Sequence, residues 1–412
     1  MPKAWPPTDE VNPITGAFLT DPLVAGALAY INQAVPAKYL SIAPSKYTSP
    51  CVAAYPTAAA QTNCYWPFNL CTRNADVPGA FLADISSCPN ANDWGITYDD
   101  GPISANGVSD TTALLTALKT ANVKSTFFIV GSNGIQHPEL VSAADQAGHQ
   151  IAGHTWTHYP LTSLTNEQIV AEFRYTEAMI YQAIGKLPTM FRPPCGDIDD
   201  RVRAIASALG YRAVIWTNTR DDTAADVTTQ TAAASQQIEA TIKTWFTPQP
   251  GFVSLQHDID DFTTKIGIDT LSAIAAAGAS FPLKPQPVGT CVNLPFYHGN
   301  NTVAPAVSSS SSAAAAAASS ASMAAASTAA AAVSSAAAAP ATATVNVIAS
   351  PTATPTSATS SSSSGSSSSS SSGSSPAPGA GTTVNVQSGA SALGVQVAGL
   401  AAAGLVAAAG LL

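Results

Sequence analysis

Two aspartates stand side by side at the end of an apolar run, in WGITYDDGP (residues 94–102). Adjacent carboxylates repel each other, and a cap or turn needs only one of them. Asp99 and Asp100 therefore point to a nearby cation that makes the second charge tolerable. Two histidines four residues apart, His154 and His158, lie in GHTWTHYP (153–160). Two imidazoles plus one carboxylate form a common catalytic zinc set, with other positions left open to water or substrate. One aspartate can then bind the metal while its neighbour takes a proton from water. More ionisable groups follow other apolar runs: Arg192 and Asp197 in RPPCGD, Arg220, Asp221 and Asp222 in TNTRDD, and His257 with Asp258 after GFVSLQ.

These groups need elements that bring them together. Strand-like runs occupy 94–98, 124–131, 149–155, 189–193, 211–217 and 251–257, with helix-like runs between them. Asp110 is placed to cap the first of these helices, Pro138 to open the second and Gly148 to stop it. A third helix runs from Thr165 to Gly185, and a fourth ends at Gly210. Alternation of strands and helices predicts a parallel α/β fold. No glycine-rich phosphate loop follows the first strand, which disfavours a nucleotide-binding sheet and leaves a barrel. In barrels the chemistry sits at the C-terminal ends of the strands. That is where the ionisable residues fall, strand after strand.

The charges are unevenly spread. Every Lys, Arg, Asp and Glu of the 412 residues lies at or before Lys284, so the net charge of −9 belongs to that part, which is long enough for one large domain. An acidic surface argues against nucleic acid as partner, since phosphate binding needs clustered Lys and Arg. The organisation expected is a Cys-containing segment packed on the barrel (1–89), a catalytic domain (90–300), a Ser/Thr/Ala/Pro-rich stalk (301–385) and a C-terminal hydrophobic segment (386–412). The stalk has too little to bury to offset its own chain entropy and is expected to be disordered. Ser/Thr-rich stretches with Pro read as O-glycosylated stalks. The uncharged apolar run at the end reads as a GPI-anchor signal, with Asn385 and Ser388 as candidate attachment sites; a tail-anchored helix or a hydrophobic disordered end is the alternative. An anchor requires entry into the secretory pathway, yet MPKAWPPTDEVNPITG has no apolar signal core, so a trimmed or mis-started N-terminus is expected. Asn300 opens a glycosylation sequon. Six cysteines (51, 64, 71, 88, 195 and 291) fit an oxidising compartment and allow 15 pairings. Those at 51–88 are expected to staple a segment poor in regular structure, with Cys291 tying the domain end to it.

TYDDGP, HTWTH, RPPCGD and LQH, in this order within residues 90–285, resemble motifs of the polysaccharide deacetylases of carbohydrate esterase family 4, the NodB-homology group, and most of all those of fungal chitin deacetylases. The resemblance implies an α/β fold, a distorted (β/α) barrel of the NodB-homology type. It implies Asp99 as catalytic base, Arg192 as the residue that orients it and His257 as the acid. Asp100, His154 and His158 would hold Zn2+, with Co2+ as a substitute. The backbone N–H of Cys195 would hold the oxyanion and Leu255 would line the acetyl pocket, with Tyr98 and Trp216 also on the substrate side. The implied reaction is removal of N-acetyl groups from chitin or partly deacetylated chitosan by a monomer held at the outer leaflet of the plasma membrane. An O-acetyl esterase and a non-catalytic chitin-binding wall glycoprotein are the alternatives. Two departures stand out. The family usually has Tyr where this chain has Cys195, which leaves either a free thiol beside the metal or a disulfide partner. Thr219 and Thr223 replace an Asp and a Trp of the fourth motif, so Asp221 or Asp222 is expected to tune His257. Asp197, Asp199, Asp200, Asp221, Asp222, Asp258, Asp260 and Asp261 form either a capped, solvated surface or a cleft that attracts glucosamine ammonium groups.

Overall fold

The computed structural model describes residues 1–9, 12–104, 110–299 and 383–387. Asn300, Ser388, residues 301–382 of the stalk and 388–412 of the apolar C-terminal run lie outside the described residues. The chain divides into two units, one formed by 1–307 with 381–412 and the other by 308–380; the first is the one described here.

Apolar and β-branched runs become short strands: β1 (Lys46–Ser49), β2 (Val52–Pro56), β3 (Asp93–Gly95), β4 (Thr97–Asp100), β5 (Thr126–Ile129), β6 (Gln150–Gly153), β7 (Met190–Phe191), β8 (Arg212–Ala213), β9 (Phe252–Val253), β10 (Lys284–Gln286) and β11 (Thr383–Gln387). β4 to β8 form one parallel sheet in sequence order, and β3 lies parallel between β10 and β9. The expected first strand is thus split at Ile96, where the chain changes partners: its N–H donates to Gln286 O and its carbonyl accepts from Thr126 N. Past β8 the ring is closed by single bonds rather than long ladders. Thr217 N donates to Val253 O, Leu255 N to Arg220 O, Asp99 N to Gln256 O and Asp258 N to Asp99 O. The last of these returns the circuit to β4. The result is the expected α/β barrel, distorted because three of its staves are only two residues of regular strand.

Helices cover the outside: α1 (Pro22–Ala34), α2 (Thr111–Thr120), α3 (Pro138–Gln146), α4 (Asn166–Ile184), α5 (Asp200–Ala208), α6 (Ala232–Lys243) and α7 (Asp261–Ala277). Asp110, Asp199 and Asp260 accept from the third backbone N–H of their helices, and Thr165 makes a reciprocal capping box with Gln168. α3 opens with Pro138 and α4 ends on Gly185 in the left-handed conformation, as the sequence predicts. Trp94, Phe127, Ile151, Phe191 and Ile266 are among the side chains that fill the space between barrel and helices.

The region before the barrel has more regular structure than expected. β1 and β2 form an antiparallel hairpin, followed by short helices at Thr57–Thr62 and Trp66–Asn69. β11 adds to its β2 edge, placing Asn385 opposite Ala54. Only one disulfide, Cys64–Cys71, is internal to the segment; Cys88 reaches Cys291, as expected of that cysteine, and Cys51 reaches Cys195. Cys195 is therefore not a free thiol. Among the described residues no helix is long and apolar enough to cross a membrane.

At the opposite end of β6, His149 is buried and its Nδ1 accepts from Ser125 N. Burial, helped by the charge of Lys124, lowers its pKa to about 4. The unfolded chain binds this proton near its ordinary value of about 6.5. Between these values the unfolded state holds more protons, so His149 removes stability as pH falls from about 6.5 to 4, by about 3 kcal/mol in all. Urea unfolding at intervals across that window should show a steeper acid loss for the parent chain than for His149→Gln; parallel curves would refute this.

Candidate metal centre

The parallel strands deliver the ionisable residues to one rim. Asp99 and Asp100 end β4, His154 follows β6, Arg192 follows β7 and His257 lies beyond β9. Period-two alternation sorts β4: Thr97 and Asp99 meet Arg192 inside the barrel, while Tyr98 turns outward against Phe127 and Gly267 of α7. Tyr98 is fully buried there, so its expected place on the substrate side is not borne out by its packing.

Asp100 is the hub of a triad. Its Oδ1 lies 3.2 Å from Nε2 of both His154 and His158. Burial pushes its carboxyl pKa up, but His158 and His154 outweigh this and hold it well below the ordinary range. Its backbone has φ 77°, and its carbonyl accepts from Asn133 Nδ2. Thr155, His158 and Cys195 also have φ between 55° and 65°. For non-glycine residues this conformation costs free energy, and it clusters where a site needs unusual side-chain directions.

The donor set fits a divalent metal. His154 Nδ1 donates to Arg192 O at 2.7 Å, which leaves the Nε2 lone pair facing Asp100. Among the described residues, buried Asp100 Oδ1 faces the two imidazole Nε2 atoms, and no other donor satisfies it. Two imidazole nitrogens and one carboxylate oxygen within 4.8 Å of one another could hold the ion, with coordination positions left over.

Arg192 ties this triad to Asp99. Its guanidinium is wholly buried, lies 4.3 Å over the Phe128 ring and gives Nη1 to Asp99 Oδ1 and Thr97 Oγ1, both at 2.7 Å. Its carbonyl is the acceptor that sets the His154 tautomer. One residue thus orients the carboxylate and one imidazole. Asp99 Oδ2 lies 3.7 Å from His154 Nε2.

His257 is buried beside four carboxylates. Burial lowers its pKa, yet the charges of Asp100, Asp222, Asp99 and Asp221 outweigh it and the net shift is upward. Among the described residues its Nδ1 has no hydrogen-bond partner. Asp221 and Asp222 act on it through space; their Oδ1 atoms accept from Thr223 N and Ala224 N. Leu255 is buried in the bridge to Asp221, and Trp216 packs edge-on against Trp66 at 4.6 Å. Gly196, next to Cys195, has φ 66°, and a Cβ there would lie 2.3 Å from Trp66.

Most of the other acids serve the fold. Asp197 is buried under Thr162 N, Thr162 Oγ1 and Tyr65 OH, and burial raises its pKa to about 6. Asp199 caps α5 and accepts from Tyr55 OH, Asp200 pairs with Arg73, Asp258 accepts from Thr111 Oγ1 and Asp260 caps α7. Asp197 is thereby taken up within the fold, and of the eight acids singled out in the sequence it is Asp221 and Asp222 whose charges reach His257.

One residue at the site escaped the motif reading. Glu172 of α4 is buried and accepts from Trp156 N at 2.7 Å, Thr157 N at 2.8 Å and Thr157 Oγ1 at 2.7 Å. It holds the loop between His154 and His158. The signal was a carboxylate on a helix face otherwise made of Ile169, Phe173, Thr176 and Ile180.

A family model described as polysaccharide deacetylase matches residues 86–214. Chitin deacetylase 1 of Cryptococcus neoformans var. grubii is 38% identical over 239 residues, covering 55% of this chain and 48% of that protein. The chitin deacetylase of Amylomyces rouxii is 36% identical over 241 residues, 57% and 54% of the two chains. The chain thus spans about half the length of these curated relatives. The solved chitin deacetylase of Colletotrichum lindemuthianum superposes with a TM-score of 0.46 at 22% identity, covering 54% of this chain and 98% of that one.

Proposed function

From a chain that carries a polysaccharide deacetylase domain, we propose hydrolysis of the N-acetyl groups of chitin or partly deacetylated chitosan, releasing acetate and leaving glucosamine units. The observation that carries this reading is the Arg192-oriented Asp99 beside the Asp100, His154 and His158 triad. The relatives named chitin deacetylase support the substrate class.

Asp100, His154 and His158 would hold a zinc ion, with cobalt as a substitute, which would supply Lewis acidity and a lowered pKa for water. Asp99 takes the proton of the water that adds to the acetamide carbon. Arg192 holds Asp99 in position, with Oδ1 engaged and Oδ2 left for that proton. The backbone N–H of Cys195 stabilises the oxyanion. His257, whose pKa the surrounding carboxylates raise, gives its proton to the leaving nitrogen as the C–N bond breaks. Leu255 and Trp216 border the acetyl group. Three disulfides fit a secreted protein. Placement at the cell surface through the 301–385 stalk and a GPI anchor near Asn385 or Ser388, with a glycan on Asn300, belongs to the same proposal.

The test is acetate release by the zinc-loaded full chain from chitin oligomers, from partly deacetylated chitosan and from an O-acetylated wall polysaccharide. Release from the N-acetylated substrates that a chelator abolishes and zinc restores is expected. Release from the O-acetylated substrate alone would replace the reading with an esterase. Zinc binding without release from any of the three would replace it with a binding protein.

A further inference from the structure

A second group of metal-ligating atoms adjoins the first. The Sγ atoms of Cys51 and Cys195 and a ring nitrogen of His158 lie within 4.8 Å of one another. The two sulfurs are joined as a disulfide, and both cysteines are buried. Among the described residues, neither Cys64–Cys71 nor Cys88–Cys291 falls in such a group.

The two cysteines are held in place by more than their own bond. Cys51 lies in the turn of the β1–β2 hairpin. Ser45, just before β1, donates its N–H to Thr162 O at 2.8 Å and shares a 2.7 Å hydrogen bond with the Thr162 hydroxyl. Tyr47 of β1 stacks on Tyr159, the neighbour of His158, with centroids 4.4 Å apart. On the other side, Cys195 is fixed between Pro193–Pro194 and Gly196, whose lack of a side chain lets it sit against Trp66. Breaking the bond would leave both sulfurs next to His158.

We propose that the Cys51–Cys195 disulfide masks a thiolate metal site, and that reduction creates a Cys51–Cys195–His158 set which takes zinc or another soft divalent ion away from the Asp100–His154–His158 set. The two sets share His158, so they compete. A disulfide sulfur is neutral and a poor ligand. Two thiolates bring two negative charges and a strong preference for borderline and soft ions over a carboxylate. With a phosphine as reductant, the S–S bond breaks and phosphorus loses two electrons. It takes the oxygen of one water, whose two protons go to the sulfurs. Metal binding then releases those two protons. The proposal does not depend on the polysaccharide reading, because its readout is ligation.

The experiment uses the full chain reduced with a water-soluble phosphine without oxygen and then loaded with Co2+, beside the oxidised chain. The expected result is a near-ultraviolet sulfur-to-cobalt charge-transfer band in the reduced sample only, lost in the Cys51→Ser/Cys195→Ser double variant. A reduced chain with both cysteines shown free by mass mapping but no band would overturn the proposal. A band of equal strength in the double variant would do the same, since it would belong to the other four cysteines. Should the double variant fail to fold, alkylation of the parent chain decides. Cobalt should protect Cys51 and Cys195, and equal labelling with and without metal would refute the site.

Discussion

Asp99→Asn is expected to lower kcat for acetate release by about 10³-fold while zinc content and KM stay close to those of the parent. The amide keeps the shape of the carboxylate and can still accept from Arg192 Nη1 through one oxygen. It cannot take a proton from water at neutral pH. Asn also removes the charge that offsets a wholly buried guanidinium, so the variant should lose about 3 kcal/mol of stability. Kinetics therefore belong well below its melting temperature. Asp100→Asn is the companion. Its carboxylate is the one whose Oδ1 faces both imidazoles, so there the loss should fall on zinc affinity first and on activity in proportion. The two neighbours thus differ in a measurable way. If Asp99→Asn lost zinc in step with activity, Asp99 would be a ligand and the division of labour between the carboxylates would be wrong.

The sequence makes the barrel legible because short apolar strand-like runs alternate with helix-like runs, most of which carry a capping residue or an opening proline. It makes the rim legible because parallel strands must put their C-terminal ends on one side. Local patterns carry no information about partners distant in the chain, and the misreadings arise there. Tyr98 is one step from Asp99, yet strand alternation sends it to the opposite face, under α7. Asp197 reads as part of an acidic surface until Tyr65 and Thr162, from two other segments, close over it. Cys195 reads as a free thiol or a bonded one with equal ease, because its partner is 144 residues away. The region 45–69 looks irregular because its strands are short and it owes its order to contacts with Thr162, Tyr159 and Ile198. Glu172 hides for a related reason: a buried carboxylate on a helix is unremarkable in one dimension, and its meaning lies in the loop that the fold presses against it.

That loop supplies the second large effect. Glu172→Ala should weaken zinc binding by about 10–100-fold and cost several kcal/mol of stability, about 1–3 for each buried donor left unpaired. Three donors depend on this one carboxylate: Trp156 N, Thr157 N and Thr157 Oγ1. They sit between the metal-facing histidines, in a backbone that places both Thr155 and His158 in the left-handed region. Without the carboxylate the loop has every reason to relax towards ordinary dihedrals, and His158 would leave Asp100. A purely structural role predicts a lower melting temperature with unchanged zinc affinity in the molecules that remain folded. A positioning role predicts a higher zinc dissociation constant even far below the melting temperature. Glu172→Gln separates the contributions further. Its oxygen can accept from both backbone N–H groups, and its amide can donate to the Thr157 hydroxyl, so the loop keeps its bonds and loses only a charge. Burial raises the Glu172 pKa against the pull of those bonds and of His158, so removing that charge should disturb little besides the field at His158. Chelator competition on all three proteins should therefore rank zinc affinity as parent, then Gln, then Ala, with Gln much nearer the parent. Equal losses in Gln and Ala would mean that the charge acting on His158, and not the bonds to the loop, holds the metal-facing residues together.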